Sequence, residues 1–228
     1  VYLYELAKRV GIKRIGEMAA LFGFGEAFNF GLPGENRGLI PTPAWKRKTF
    51  GQAWHAGETL ITSIGQGFIL CTPLQLAVMT SRLVNGGRPV LPRLMKNERA
   101  EIQKRKSLQL SPQHLHTVLK GMDKVVNGSQ GTARKVVDQS MKFQFGGKSG
   151  SVQVKRISLD ERESGKLKNK DRPWHERDHA MFVAFAPLKS PRYVVSVVVE
   201  HGGGGSTMAA PIARDILAEA LRLNPSKL

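Results

Sequence analysis

The sequence is poor in cysteine, in aromatic residues and in acidic charge. It has one cysteine in 228 residues, 7% aromatic residues, and 18 acidic against 35 basic residues. One cysteine cannot form an internal disulfide, and no Cys/His cluster has the spacing of zinc ligands, which excludes a disulfide scaffold and a zinc module. No apolar run reaches about 18 residues, so no segment is predicted to span a bilayer. The 41% hydrophobic content predicts a globular protein with a real core.

What the chain has in excess is positive charge, with a formal net charge of +17. Such a surface attracts nucleic acid, anionic lipid or an anionic polymer. Between 45 and 55 the aromatic residues Trp45, Phe50 and Trp54 are mixed with the basic run Lys46–Lys48. Single-strand binders use such mixtures, so a nucleic-acid-binding module is one hypothesis. The alternative, which we favour, is that these aromatic rings pack against the neighbouring glycine-rich loop and have no binding role.

The order of the predicted elements is helices first, then strands, then a final helix. Helices are predicted over 1–22, from Thr72-Pro73 to Gly86-Gly87, from Ser111-Pro112 to Asn127-Gly128, and over 207–222. Their predicted inward residues are Leu76, Met79, Leu83 and Val84 in the second helix, and Leu115, Val118, Leu119, Met122 and Val126 in the third. This order predicts an α+β domain in which helices cover an antiparallel sheet.

The last third of the chain has the signals of strands. Two extended pieces are predicted around Gly146-Gly147, and Met181–Phe185 with Tyr193–Val199 are predicted to form an antiparallel hairpin. The charged stretch 96–106 reads as a solvated loop, 155–178 as a long mobile excursion, and Gly202–Gly205 as a flexible run.

The densest motif is Gly146-Gly147-Lys148-Ser149-Gly150-Ser151. A phosphate-binding loop is excluded, because that motif needs glycine where the chain has Lys142, and a helix where β-type residues follow. The second interpretation is the lysine-hydroxyl-glycine triplet of serine acyltransferases that act on penicillin-like substrates. Alone the triplet is a weak signal, and a glycine-rich strand start with an exposed lysine is then the favoured explanation.

The chemistry of the second interpretation is coherent. Lys148 would place positive charge beside a reacting carbonyl, and the hydroxyls of Ser149 and Ser151 could bind a substrate carboxylate. Gly150 would permit close approach of a ligand or backbone, and the Ser151 N–H could stabilise an oxyanion.

Further motifs occur in one fixed order along nearly the whole chain. They are VYLYELA (1–7), FGFG (22–25), GLPGE (31–35), PTPAWK (41–46), GET (57–59), SIGQG (63–67), TPLQLA (72–77), KSGS (148–151), DHAMFVAFAP (178–187) and VVVEHGG (197–203). On these motifs the sequence resembles the transpeptidase domain of class B penicillin-binding proteins, in particular the branch that works in cell elongation. The resemblance implies a β-lactamase/transpeptidase-like (penicillin-recognising) fold, incomplete at its N-terminal side, with residues 1–228 as the C-terminal portion of the domain.

The resemblance also implies an activity. Members are peptidoglycan D,D-transpeptidases, which cross-link stem peptides through a serine acyl-enzyme and are acylated by β-lactams. It assigns Lys148, Ser149 and Gly150 to the catalytic strand, Ser149 and Ser151 to substrate binding, and the Ser151 N–H to the oxyanion hole. It implies elongation-machinery partners, an inner-membrane anchor with the catalytic domain in the periplasm, and neither cofactor, metal nor nucleic acid.

Some features depart from the family pattern. Met181 stands where an aromatic residue is usual, Ser151 stands where threonine is common, and no serine in the chain is followed by lysine three positions on. Ser158-Leu159-Asp160 matches the S-x-[ND] string, but it lies after the triplet and is read as coincidence. Since the chain opens on Val1 rather than Met, we expect a fragment. Because it has no S-x-x-K and, by the resemblance, lacks the first strands of the domain, we expect it to be inactive and only marginally stable alone. A β-lactam sensor shares this fold, but the motifs at 41–77 favour the transpeptidase.

Overall fold

The computed structural model describes residues 2–29, 31, 33–94, 107–138, 140–155, 158, 160, 163 and 169–224. The chain divides into two compact units, one containing residues 1–83 and 87–108 and the other 84–86 and 109–228. The helices are α1 (Tyr2–Leu21), α2 (Pro43–Phe50), α3 (Ala56–Thr62), α4 (Pro73–Val84), α5 (Pro112–Asn127) and α6 (Ala210–Leu223), and the strands are β1 (Gly146–Val152), β2 (His179–Ala186) and β3 (Tyr193–Val199). The predicted α+β class is confirmed.

In the first unit, α1 is interrupted at Gly11, whose backbone has φ 77° and ψ 156°. Only glycine adopts this conformation without strain, so the helix changes direction there. Apolar residues of α1 line an open groove of about 500 Å³, among them Leu3, Leu6, Val10, Ile15 and Met18. Among the described residues, no helix combines the length and the apolar character that a membrane crossing requires.

Helix α4 begins and ends as predicted. Thr72 and Gln75 cap its start reciprocally, since each side chain accepts the other's backbone N–H, at 3.1 and 3.0 Å. After Val84, the N–H of Gly87 donates to the Arg82 carbonyl at 2.7 Å. The predicted inward face is partly wrong, because Leu76 and Met79 are half-buried, whereas Gln75 is fully buried and Arg82 is 4% exposed.

Two polar side chains of α4 are buried because they bind loop carbonyls. The Gln75 amide nitrogen donates to the carbonyls of Glu26 at 3.0 Å and Arg37 at 2.8 Å. The Arg82 guanidinium donates to the carbonyls of Leu21 and Val90, and it lies 3.6 Å from the Glu26 carboxylate. Buried polar groups are tolerated when their hydrogen bonds are satisfied, so α4 organises the glycine-rich loop around itself.

The aromatic and basic stretch over α2 is packed within the first unit. The Trp45 ring contacts Phe50 and Phe68 edge-on, with centroids 5.6 and 5.2 Å apart. Lys46 is buried and lies 2.5 Å from the Glu58 carboxylate. Burial would raise the pKa of Glu58, but the His55 backbone N–H and the Lys46 ammonium outweigh it and lower that pKa below its ordinary value.

In the second unit, the sheet has the order β1-β2-β3 and is antiparallel throughout. The predicted β2–β3 hairpin is confirmed. β1 is one continuous strand rather than two pieces around Gly146-Gly147, because both glycines lie within it. Phe145 lies just before this strand, and Val154 lies after it and is 42% exposed. The core lies on the face of β2 formed by its even-numbered residues, against α5 and α6. On α5, Met122 and Val126 are buried as predicted, but Val118 is 48% exposed.

The two predicted flexible segments have different outcomes. The glycine run is packed, because the Gly203 N–H donates to the Asp178 carbonyl at 2.8 Å and the backbone of Gly205 lies against β1 and β2. Residues 95–106 and much of the 155–178 excursion lie outside the described residues. Leu159, the middle residue of the Ser158-Leu159-Asp160 string, also lies outside them. The described end of that excursion forms two short 3-10 turns, Asn169–Asp171 and Trp174–Glu176.

We expect Gln75→Leu to destabilise the first unit by about 2–4 kcal/mol, since the part-buried carbonyls of Glu26 and Arg37 lose their donor at about 1–3 kcal/mol each. Urea unfolding followed by tryptophan fluorescence measures this, because Trp45 and Trp54 lie in the same unit. The matched control Gln113→Leu changes an exposed helical glutamine and should stay within about 0.5 kcal/mol. Equal effects of the two changes would contradict the assigned role of Gln75.

Candidate active site

The four predicted site residues lie together on β1. Lys148 is opposite Val183, Ser149 opposite Phe182, Gly150 opposite Met181 and Ser151 opposite Ala180. β1 is the first strand of the sheet and pairs only with β2 among the described strands. Edge strands have backbone amides and carbonyls without a ladder partner on one side, so β1 can offer main-chain groups to a ligand.

Alternation along β1 separates the side chains into two sets. Ser149 and Ser151 face the side of the sheet that carries the core, and Lys148 and Gly150 face the other side. Lys148 is exposed, and its Nζ donates to the carbonyl of Ser149 at 2.7 Å. Ser149 is half-buried, while Ser151 is exposed. The strand therefore presents hydroxyls on one face, and the ammonium folds back along the strand's own backbone.

A further hydroxyl, which the sequence analysis did not identify as a site residue, lies next to this strand. Thr132 Oγ1 is 3.4 Å from Ser149 Oγ. Thr132 belongs to the turn after α5, where the N–H of Ala133 donates to the Val125 carbonyl at 2.9 Å. The available sequence signal was a threonine between a glycine and a small apolar residue after a helix end, which does not specify a contact 17 positions away.

The glycines near the site have different tasks. A Cβ at Gly147 would lie 2.5 Å from the Phe182 ring and 2.6 Å from the Val183 carbonyl, so β1 can approach β2 this closely only with glycine there. A Cβ at Gly150 would make an ordinary 3.5 Å contact with Met181. A Cβ at Gly205 would overlap the carbonyls of Gly150 and Met181. The backbone of Gly205 therefore packs directly against β1 and β2, and only a residue without a side chain can come this close.

A pair of histidines fixes the loop that leads to Gly205. The His201 N–H donates to His179 Nδ1 at 2.9 Å, and His201 Nδ1 lies 2.9 Å from the Arg177 carbonyl. A carbonyl can only accept, so His201 carries a proton on Nδ1, whereas neutral His179 carries its proton on Nε2. His201 has φ 55°, which is unusual for a residue other than glycine, and the ring of Trp174 packs on it at 4.5 Å.

No candidate nucleophile accompanies these groups in the described residues. The single thiol, Cys71, has a pKa raised by desolvation, so it is protonated at neutral pH. No group of three His, Cys, Asp or Glu residues in the described part of the chain could hold a metal ion. What the β1 arrangement can do is bind an anion and donate hydrogen bonds to a reacting carbonyl.

Comparison with known proteins gives consistent matches. Residues 1–218 match the family described as penicillin binding protein transpeptidase domain. The chain is 37% identical over 224 residues to the peptidoglycan D,D-transpeptidase MrdA of Haemophilus influenzae, covering 95% of this chain and 34% of the relative. It is 30% identical over 225 residues to MrdA of Escherichia coli K12, with 95% and 34% covered. The chain thus spans about a third of the length of these curated relatives.

Solved structures match as well. Pseudomonas aeruginosa PBP2, crystallised in complex with WCK 5153, superposes with a TM-score of 0.81 at 38% identity, covering 96% of this chain and 46% of that one. PBP2 of Helicobacter pylori, solved in complex with MreC, gives a TM-score of 0.81 at 30% identity, with 98% and 38% covered. The predicted resemblance is confirmed.

We expect Gly205→Ala to destabilise the second unit by about 2–3 kcal/mol, because the added methyl group must displace β1 or β2. The matched control is Gly121→Ala on the exposed side of α5, where nothing lies within 4 Å of the new Cβ. It should stabilise by about 0.5–1 kcal/mol through helix propensity. Unfolding followed by the fluorescence of Trp174 distinguishes the two, and a neutral Gly205→Ala would show that the loop does not support the strand.

Proposed function

The chain belongs to the family of penicillin-binding protein transpeptidase domains, and from that premise we propose that its parent is a peptidoglycan D,D-transpeptidase of cell elongation. Residues 1–228 form the C-terminal portion of its transpeptidase domain in this proposal. The relatives named as peptidoglycan D,D-transpeptidases and the PBP2 structures support it.

One observation carries the proposal within this chain. Lys148, Ser149, Gly150 and Ser151 lie consecutively on the edge strand of an antiparallel sheet, with the serine hydroxyls on one face. An extended peptide that lies along such an edge can bond to its main chain and place a terminal carboxylate beside the hydroxyls. A stem peptide that ends in D-Ala-D-Ala has this form.

The proposed reaction proceeds in two transfers. A serine of an S-x-x-K motif attacks the carbonyl carbon between the two D-Ala residues, while the lysine of that motif takes the hydroxyl proton. The C–N bond breaks, and the terminal D-Ala leaves with a proton on its nitrogen. The amine of a neighbouring stem peptide then attacks the ester carbonyl, which forms the amide cross-link and breaks the ester C–O bond, and a proton of that amine passes to the serine oxygen. No serine of the 228 residues is in such a motif, so the nucleophile belongs to another part of the parent.

The residues of β1 have separate roles in this reaction. Lys148 supplies positive charge beside the reacting centre and a hydrogen bond to the S-x-[ND] group of the parent. Ser149 and Ser151 bind the substrate carboxylate, and the Ser151 N–H provides half of the oxyanion hole. Such donors act most strongly where charge develops in the transition state, which is why they influence acylation more than binding.

The setting of the parent is part of the proposal. A β-lactam places its own carboxylate and reactive carbonyl as the stem peptide does, so it acylates the same serine. Partners from the elongation machinery are supported by the Helicobacter pylori relative, which was solved with MreC. We place the catalytic domain in the periplasm, held at the inner membrane by another segment of the parent. The positive surface needs no nucleic acid in that setting, since membranes and wall polymers are anionic.

In the parent protein, we expect Lys148→Ala to lower the second-order rate of labelling by a fluorescent penicillin at least about a hundredfold, because it removes a charge that stabilises the transition state. Lys142→Ala is the matched control, an exposed lysine six positions upstream, and it should label at the unsubstituted rate. Labelling of Lys148→Ala at the control rate would remove Lys148 from the site.

The isolated 228-residue chain should form no covalent adduct with the same penicillin, because it contains no S-x-x-K serine. Intact-mass spectrometry after incubation measures this, with the parent protein as the positive control. An adduct of one penicillin mass on the isolated chain would overturn the proposal that the nucleophile lies elsewhere.

A further inference from the structure

The turn between α5 and Arg134 holds an exposed threonine in a fixed position. The Asn127 side-chain nitrogen donates to the carbonyl of Phe145 at 3.0 Å, which ties the end of α5 to the residue before β1. Gly131 has no room for a Cβ, which would lie 2.5 Å from the Val125 carbonyl. Ala133 is 1% exposed in the core. Thr132 stands between these two anchored residues, so its backbone cannot drift although its side chain is exposed.

The hydroxyls of Thr132 and Ser149 form a pair. Their oxygens are 3.4 Å apart, longer than the 2.7–2.8 Å that is usual for a good O–H···O bond. Within the described part of the chain, neither hydroxyl has another hydrogen-bond partner. Because the hydrogen bond between them is long, both hydroxyls can donate to the same anionic group.

A carboxylate needs more than one donor. It has two oxygens with about four acceptor positions, while each hydroxyl offers a single proton. Ser149 and Ser151 lie on one face of β1, and Thr132 comes to that face from the end of α5. Hydroxyls from two elements are then available on one face of β1, and hydrogen bonds to a charged acceptor are about twice as strong as neutral ones.

We propose that Thr132 is a further substrate-binding residue, whose hydroxyl acts with that of Ser149 on the terminal carboxylate of the stem peptide or on the carboxylate of a β-lactam. This inference rests on the proposed function. It adds a residue outside the lysine-serine-glycine strand to the carboxylate site, and it gives the turn after α5 a role in selecting substrates with a free terminal carboxylate.

The test uses the full-length parent and two ligands that differ in one group, benzylpenicillin and its methyl ester. The second-order acylation rate constant of each is measured by competition with a fluorescent penicillin. Thr132→Val removes the hydroxyl and keeps the shape of the side chain. We expect it to slow acylation by benzylpenicillin about tenfold or more, as for the loss of one hydrogen bond to a charged group, and to leave the ester within about twofold. Thr132→Ser should restore the rate for the acid.

Thr117→Val is the matched control, because Thr117 is an exposed threonine of α5 whose hydroxyl binds the carbonyl of Gln113. It should change neither rate, and Thr132→Ala should repeat the acid-specific loss if valine disturbs the turn. Equal losses for acid and ester, or no loss at all, would overturn the role of Thr132 and leave the proposed function intact. An unsubstituted parent that neither ligand acylates would overturn the proposed function and this inference together.

Discussion

The arrangement of the site depends on one close backbone contact, that of Gly205 with the carbonyls of Gly150 and Met181. The ladder with β2 fixes the register of β1, but a ladder alone leaves an edge strand free to bend. The Gly205 backbone supports the strand at the residue between Ser149 and Ser151. The histidine pair and the Asp178–Gly203 bond hold the loop that carries this glycine. The hydroxyls therefore stand on a backbone that is fixed from two directions.

The elements that sequence reasoning predicted well are those with local causes. The β2–β3 hairpin follows from two Val-rich runs with a proline-containing turn between them, and α4 follows from Thr72, Pro73 and the glycines after Val84. The placement of Lys148–Ser151 on one strand was implied by the K-S-G motif and the family resemblance, whereas the apolar pattern alone predicted two pieces around Gly146-Gly147. In each case the residues that determine the structure lie within a few positions of it.

The features that escaped prediction depend on contacts between distant parts of the chain. Gln75 was not expected to be buried, since its amide is satisfied by carbonyls 49 and 38 positions away. Arg82 likewise donates to a carbonyl 61 positions away. Val118 lies on the same face of α5 as Met122 and Val126, but it is exposed because the buried residues of this helix are confined to its C-terminal half. Thr132 carries no pattern of its own and gains its position from the packing of Gly131 and Ala133.

The net charge of +17 conceals three kinds of basic residue. Lys46 and Arg82 are buried and bound to carboxylates, so they hold the first unit together. Most of the other basic residues in the described part of the chain are exposed and set only the field around the protein. Lys148 differs from both, because it is exposed, yet its ammonium is held at the carbonyl of Ser149. An ammonium has three N–H donors and that bond uses one. The remaining two can turn toward a second group without moving the strand, which the role proposed for Lys148 requires.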